Sequence, residues 1–571
     1  MSRLPQIDSA QGLHAERRSI WAELDKSGAM RLVIALTAIF CLALARTSRA
    51  QENPAPTVGL AEMQHLAATT NVADWAHWGP SPDQYSSWGT HSNRLVPIYT
   101  FGGNLDAVAG EQSLYRDATK IRSLYGALPK ETLNPSANYL DQTDVFRLQQ
   151  QAVAAGKKRI VLFVFDGMDW QTTRAAAIAK TGTVSYREGR GTGLQFQDYA
   201  NAETDFGEFV SSPHNNGTNV DVNKQQVSNP GGTMPGGYSP DRAGSHAWST
   251  PKNREYIIGR DEQLKHAYTD SAASATSMTS GIKTYNNAIN VDFSGREVLP
   301  IARTLQDQGF AVGAVSSVPF NHATPACAYA NNVHRGDYQD IARDMLGLPS
   351  VFHPGGLPGL DVVIGAGWGE MKEKDGGQGE NFVSGNRYVT AKDIKDSRAV
   401  NGGDYVVVTR KAGMSGSKVI RNAARRAKKQ SKGLFGFFGV SGGHLPFQTA
   451  DGDYVPVASI GNAKAAAPET YSPEDLSENP TLGDMAMAAI DVLSAKSDQW
   501  WLLVEAGDVD WANHANNLDN SIGAVLSGDD AFAKVMNWVD TNGGWKDTFV
   551  IVTADHGHYL VIDQPERLAG E

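Results

Sequence analysis

Arg159-Ile160-Val161-Leu162-Phe163-Val164-Phe165, running into Asp166-Gly167-Met168-Asp169, decides the fold class. A run that is apolar at successive rather than alternate positions suits a strand buried on both faces, as in a parallel sheet covered by helices. The pattern returns in Trp500-Trp501-Leu502-Leu503-Val504, followed by Glu505, Asp510 and His514. It returns again in Thr548-Phe549-Val550-Ile551-Val552-Thr553, followed by Asp555-His556-Gly557-His558. Open α/β sheets gather ligands beyond the carboxyl ends of their strands, and each run carries its Asp, Glu and His there. One such Asp is a turn former or a helix cap. Three clusters of this kind read as a metal site. The predicted fold is α/β, a three-layer α/β/α sandwich with a largely parallel central sheet and surface insertions.

The partner chemistry lies in Asp270-Ser271-Ala272-Ala273-Ser274-Ala275-Thr276, which continues through Ser277-Met278-Thr279-Ser280 to Gly281. Small residues ended by glycine predict a short helix that other groups can approach closely. Ser271 at its first turn lies in the field of free amides that favours an anion. An isolated Asp-Ser pair would be no more than a cap, so the weight rests on the metal ligands elsewhere. Asp510 and His514 are four apart and share one helix face. Asp166, Asp555 and His556 give a mixed nitrogen and oxygen set that suits zinc, whereas all-oxygen ligands such as Glu505 and a threonine hydroxyl suit magnesium. Asp508 and His558, in the same loops, are read as solvated neighbours. A serine between two metals can be activated by one while the other steadies the leaving oxygen.

These motifs resemble those of the metal-dependent alkaline phosphatases. Thr269 to Thr276, continuing into Gly281-Ile282-Lys283-Thr284-Tyr285-Asn286, is similar to their nucleophile segment. Phe165-Asp166-Gly167-Met168 and Val552-Thr553-Ala554-Asp555-His556 resemble their metal-binding turns, and Val504-Glu505 to Asp510 and His514 keeps their ligand spacing. His322-Ala323-Thr324-Pro325-Ala326, with Arg335 beyond it, resembles the segment holding a magnesium ligand and the phosphate-clamping arginine. The resemblance runs in family order from about Lys157 to His558. It implies a phosphate monoesterase with two zinc ions and one magnesium, working through a phosphoserine on Ser271. Arg335 would clamp phosphate. Asp166, Asp555 and His556 would hold the zinc that activates Ser271, and Asp510 and His514 the second zinc. Thr324 and Glu505, with Asp166 bridging, would hold magnesium, with His322 a neighbour of that site.

Three departures accompany the resemblance. The family takes a further histidine for its second zinc from a stretch well beyond the Asp-His turn, and none follows before Glu571. The second zinc is therefore expected to have only Asp510 and His514 from the protein, and to bind weakly. His322 stands where some members carry aspartate, and Trp511 where some carry a basic residue. The rival readings are a phosphodiesterase or sulfatase of the same superfamily, or a truncated phosphate-binding relative. The first two call for a threonine or modified cysteine in place of Ser271, and the third rests on the absent histidine.

The chain has 571 residues and is 41% hydrophobic, enough for at least one large core. With 51 Lys and Arg against 62 Asp and Glu, its formal charge of −11 argues against a nucleic-acid or acidic-membrane partner. An anionic substrate must then be attracted locally, and a homodimer is compatible with the pattern. Met30-Arg31, the apolar Leu32 to Ala45 and Ser48-Arg49-Ala50 predict a signal peptide over 30–50, cleaved before Gln51, with Met30 as the true start. The protein is expected to be exported, periplasmic or extracellular, with no stable membrane anchor after cleavage. Of its two cysteines, Cys41 would be removed and Cys327 left without an internal disulfide partner. The expected organisation is an N-terminal extension over 51–156, a catalytic domain over 157–400 and 472–571, and an accessory insertion over 401–471. Arg421 to Lys429 reads as a basic, solvated helix face.

Overall fold

The computed structural model describes residues 59–462 and 464–570. The expected signal segment 30–50, Cys41 and the cleavage point before Gln51 lie outside the described residues. Among the described residues, ten strands form the central sheet. In chain order they are β1 (Val96–Phe101), β2 (Leu140–Asp141), β3 (Arg159–Phe165), β4 (Thr204–Val210), β5 (Ala311–Pro319), β6 (Val362–Ala366), β7 (Tyr405–Thr409), β8 (Gly433–Phe437), β9 (Trp500–Ala506) and β10 (Thr548–Thr553). Across the sheet they lie in the order β7-β8-β6-β5-β9-β3-β10-β1-β4-β2. From β7 to β10 every pairing is parallel. Only β1 runs against the rest, antiparallel to both β10 and β4.

The three apolar runs are the centre of this sheet. Leu162 of β3 is flanked by Leu503 of β9 and Ile551 of β10, and all three are fully buried. Both faces of these strands are covered, which is why their sequences do not alternate. One cover is built from α1 (Gln142–Ala154), α3 (Ser271–Ser280) and α4 (Ala323–Cys327), with α3 packed against the other two. The other contains α2 (Trp170–Thr181), α5 (Gly416–Gln430), α6 (Leu482–Lys496) and α8 (Leu518–Asn542). Here α6 packs on α5 and α8, and α8 reaches α2. Between β9 and α8 the short helix α7 (Asp508–His514) crosses the carboxyl end of the sheet.

Two of the expected boundaries cut across this architecture. Within 401–471, β7, α5 and β8 belong to the sheet and its cover, while the stretch beyond Phe437 forms loops and a ribbon of Ser459–Gly461 paired with Lys464–Ala466. Within 51–156, β1, β2 and α1 likewise join the main fold. Trp75 and Trp78 are buried in the main core, and Trp88 in a smaller cluster with Tyr115 and Tyr139. A strand over Ala76–Trp78 pairs antiparallel with Leu560–Ile562, tying the amino-terminal segment to the chain just beyond β10. Arg421, Arg425, Arg426 and Lys429 lie on the exposed face of α5, as the basic run suggested.

Candidate metal centre

Four adjacent strands, β5, β9, β3 and β10, end at one place and deliver most of the expected residues to it. Asp166 follows β3, Glu505 is the penultimate residue of β9 with Asp510 and His514 on α7 beyond, and Asp555-His556 follows β10. Thr324 sits in α4 after β5, with His322 just before it. Helix α3 begins at Ser271 on the N-cap Asp270, whose carboxylate accepts from the Ala273 amide at 3.0 Å. Gly281 ends the helix at φ 71°, as the small-residue run predicted. The fully buried Ser271 Oγ lies 3.4 Å from Asp166 Oδ1 and 3.2 Å from His556 Nε2.

The donor sets have the spacing of metal ligands. Zinc bonds of about 2.0–2.1 Å in a tetrahedron put neighbouring ligand atoms roughly 3.3 Å apart. His556 Nε2 is 3.2 Å from Asp166 Oδ1 and 3.5 Å from Asp555 Oδ2. Beside them, Asp166 Oδ2, Asp555 Oδ2, Glu505 Oε1 and Thr324 Oγ1 are all buried without a hydrogen-bond partner. Oxygen atoms of this kind, orphaned together, fit bound cations. Arg335 donates through Nη1 to Asp270 Oδ2 at 3.0 Å and through Nη2 to His322 Nε2 at 3.1 Å. Accepting at Nε2 leaves the proton of a neutral His322 on Nδ1, so this ring supports Arg335 and borders the Asp166 and Glu505 oxygens.

His91 joins the second donor set, and the sequence reading did not include it. Its Nε2 lies 3.1 Å from His514 Nε2 and 3.6 Å from Asp510 Oδ1, and His514 Nε2 is 3.5 Å from the same oxygen. His91 Nδ1 faces the Thr269 carbonyl at 3.0 Å, and His514 Nδ1 the Gly89 carbonyl at 2.8 Å. Carbonyls only accept, so both Nδ1 atoms donate and both neutral rings present bare Nε2 lone pairs. Two lone pairs at 3.1 Å beside a carboxylate repel unless a cation sits among them. The topology explains the surprise. Because β1 is antiparallel, its amino end lies at the carboxyl ends of its neighbours, and His91 lies in the short segment leading into its first residue, Val96. The only sequence hint is the Gly89-Thr90-His91 context, on the side of the motifs opposite to the one expected.

His558 and Asp508 are corrected from solvated neighbours to buried groups, 0% and 4% exposed. His558 Nε2 meets Asp510 Oδ1 at 2.8 Å, and Ser317 Oγ donates to Asp508 Oδ1 at 2.6 Å. His558 therefore orients Asp510, and it also falls within the cluster of His91, Asp510 and His556. Gly167, at φ +71°, makes room for it: a Cβ there would come within 2.9 Å of the His558 ring.

Burial and mutual repulsion disfavour ionisation of Asp166, Asp555 and Glu505 in the bare protein. Burial, then Asp510 and Glu505, pushes Asp166 well above the carboxylate range, and burial with Asp166 does the same to Asp555. Burial raises Glu505 from 4.5 to about 8. At Asp510 burial opposes ionisation too, yet His514, His558 and His91 outweigh it and hold the group well below its ordinary value. A carboxyl whose folded pKa is raised contributes stability that is full below the unfolded value and lost as pH climbs through the folded one. Metal-stripped protein is therefore expected to lose stability as pH rises from about 4.5 towards 8, a loss that added zinc and magnesium remove. Thermal melts across that range, with and without metal, check this; an unchanged slope on adding metal would count against the cation assignment.

The model of the alkaline phosphatase family, described as "Alkaline phosphatase", matches residues 254–567, more than half of the chain. The chain belongs to the alkaline phosphatase family. The match takes in Ser271, His322, Thr324, Arg335 and every ligand expected after β9, but neither Asp166 nor His91. "Alkaline phosphatase H" of Pseudomonas aeruginosa is 30% identical over 338 residues, covering 56% of this chain and 64% of that protein. "Alkaline phosphatase 4" of Bacillus subtilis is 29% identical over 289 residues, covering 50% of this chain and 49% of its own length. "Alkaline phosphatase" of Escherichia coli is 29% identical over 332 residues, covering 56% and 64%. The chain thus spans about half to just under two thirds of these relatives. A solved alkaline phosphatase from Thermus thermophilus is 19% identical, with a TM-score of 0.41 over 70% of this chain and 60% of that one. Among the described residues no helix is long and apolar enough to cross a membrane.

Proposed function

We propose that this chain hydrolyses phosphate monoesters through a phosphoserine on Ser271, with two zinc ions and one magnesium ion. The observation that carries the reading is the meeting of Ser271 Oγ, at 3.2–3.4 Å, with one complete donor set while a second, His91, Asp510 and His514, stands beside it. Asp166, Asp555 and His556 would hold one zinc. Asp510, His514 and His91 would hold the other. Thr324, Glu505 and Asp166 would hold magnesium. When bound, the ions supply Lewis acidity that offsets the negative charge of the phosphate and of the attacking and departing oxygens.

The chain's own residues do the positioning. Asp270 caps α3 and fixes Ser271 at its first turn, where unpaired amides favour an anion. Arg335, held between Asp270 and His322, offers a planar fork to two phosphate oxygens. Ser271 Oγ loses its proton to water and forms a bond to phosphorus as the ester P–O bond breaks in line with it, and the departing alkoxide takes up a proton from water and leaves as the alcohol. Water then attacks the phosphoserine, the P–Oγ bond breaks, and inorganic phosphate leaves. The same reading places the working enzyme outside the cytoplasm after cleavage before Gln51, which amino-terminal sequencing of the mature protein reads directly. Turnover of a labelled monoester stopped with acid should leave label on the peptide containing Ser271; label on another residue, or none under burst conditions, would overturn the mechanism.

A further inference from the structure

We propose that the cavity beside Trp511 receives the leaving group of the substrate and selects an alcohol that carries a neutral, flat aromatic ring. This rests on the phosphomonoesterase reading above. The cavity has a volume of about 340 Å³, within the range of small-molecule sites. His444, Phe447, Val457, Pro468, Trp511 and Ala515 are among its walls. Most of them come from the loops after β8, which the catalytic residues leave without a role. His444 and Phe447 stack at 4.3 Å with 30° between their planes, giving the cavity a flat aromatic wall.

Trp511 joins this cavity to the reaction centre. It follows Asp510 directly on α7, and its ring meets His322 edge-on at 5.8 Å on one flank and His444 at 5.4 Å on the other. His322 in turn accepts from Arg335. In-line displacement puts the departing oxygen opposite Ser271, towards Asp510, His514 and His91. The group attached to that oxygen must then pass α7, where Trp511 is the first side chain after the ligand. Stacking against such rings rewards any flat π-face, whatever its substituents. Glu469 at the cavity, 3.2 Å from His444 Nε2, adds an acceptor for a hydroxyl or amino group and repels further negative charge. Aryl phosphates and nucleoside monophosphates share this chemistry, whereas glycerol phosphate and pyrophosphate lack it.

The test compares kcat/KM for phenyl phosphate, adenosine 5′-monophosphate and glycerol 1-phosphate in metal-loaded full-length protein. Wild type is expected to favour one or both aromatic substrates over glycerol phosphate. Trp511→Ala and Phe447→Leu should each reduce that ratio, by about tenfold for the tryptophan and chiefly through KM. A fall confined to phenyl phosphate assigns the cavity to aryl groups; a fall confined to adenosine monophosphate assigns it to nucleosides. Ratios unchanged in both variants overturn the proposal, as does an equal loss on all three substrates. Should wild type hydrolyse none of the three, the phosphomonoesterase reading fails instead. Calorimetric binding of adenosine and phenol to wild type and Phe447→Leu then still decides the cavity, and equal binding by both proteins rejects it.

Discussion

Ser271→Ala is expected to lower kcat on phosphate monoesters by at least about 10⁵-fold, since removal of a covalent nucleophile from a concerted site costs of that order. The residual rate should be small but measurable, because Arg335 and the metal-binding groups still position a phosphate beside water. KM should change little. The substitution removes one oxygen from a first helical position where alanine is well tolerated, so stability and metal content should stay near wild type. Those two controls separate lost chemistry from lost structure. Turnover within tenfold of wild type in a metal-loaded Ser271→Ala protein would remove the covalent step, leaving direct attack by water as the only course.

The parallel sheet was legible because β3, β9 and β10 are buried on both faces and their sequences say so at every position. Strand-end clustering then placed Asp166, Glu505, Asp510, His514, Asp555 and His556 together, and the structure brings all six to the ends of neighbouring strands. Helix α3 was legible from its cap, its small residues and its closing glycine. Other features depend on tertiary pairing that no local pattern encodes. Residues 405–437 contain no metal motif, and only their pairing with β6 reveals them as sheet rather than insertion. Sequence adjacency was misleading for His558. Placed two residues after His556, it seemed bound for solvent, yet the turn through Gly557 directs both rings inward, to Asp166 and to Asp510. Order along the chain misled most at the second donor set. A further donor beside Asp510 and His514 was expected from the stretch after Asp555, whereas the antiparallel β1 brings the His91 ring to these two side chains from the amino-terminal side.

His91→Ala is the sharpest test of that last point. With Asp510 and His514 alone, the second site would have two protein ligands, fewer than the three that zinc sites usually need to hold metal firmly with a position left open. His91 restores the third, so the wild-type chain is expected to retain two zinc ions through dialysis rather than one firmly and one weakly. His91→Ala should retain one. Its second zinc should bind more than about 100-fold more weakly, beyond the 10- to 100-fold typical for loss of a group that merely orients a ligand. His558→Ala belongs in that milder class, since its contact is to the Asp510 carboxylate. Phosphoserine should still form in His91→Ala, because Asp166, Asp555 and His556 all remain beside Ser271 even though His556 loses its ring contact with His91 at 3.8 Å, but it should accumulate as its hydrolysis slows. Zinc content after dialysis and the steady-state level of phosphoenzyme read the two effects separately. If His91→Ala kept both zinc ions while His558→Ala lost one, the ligand would be His558, and His91 would be reduced to packing against it.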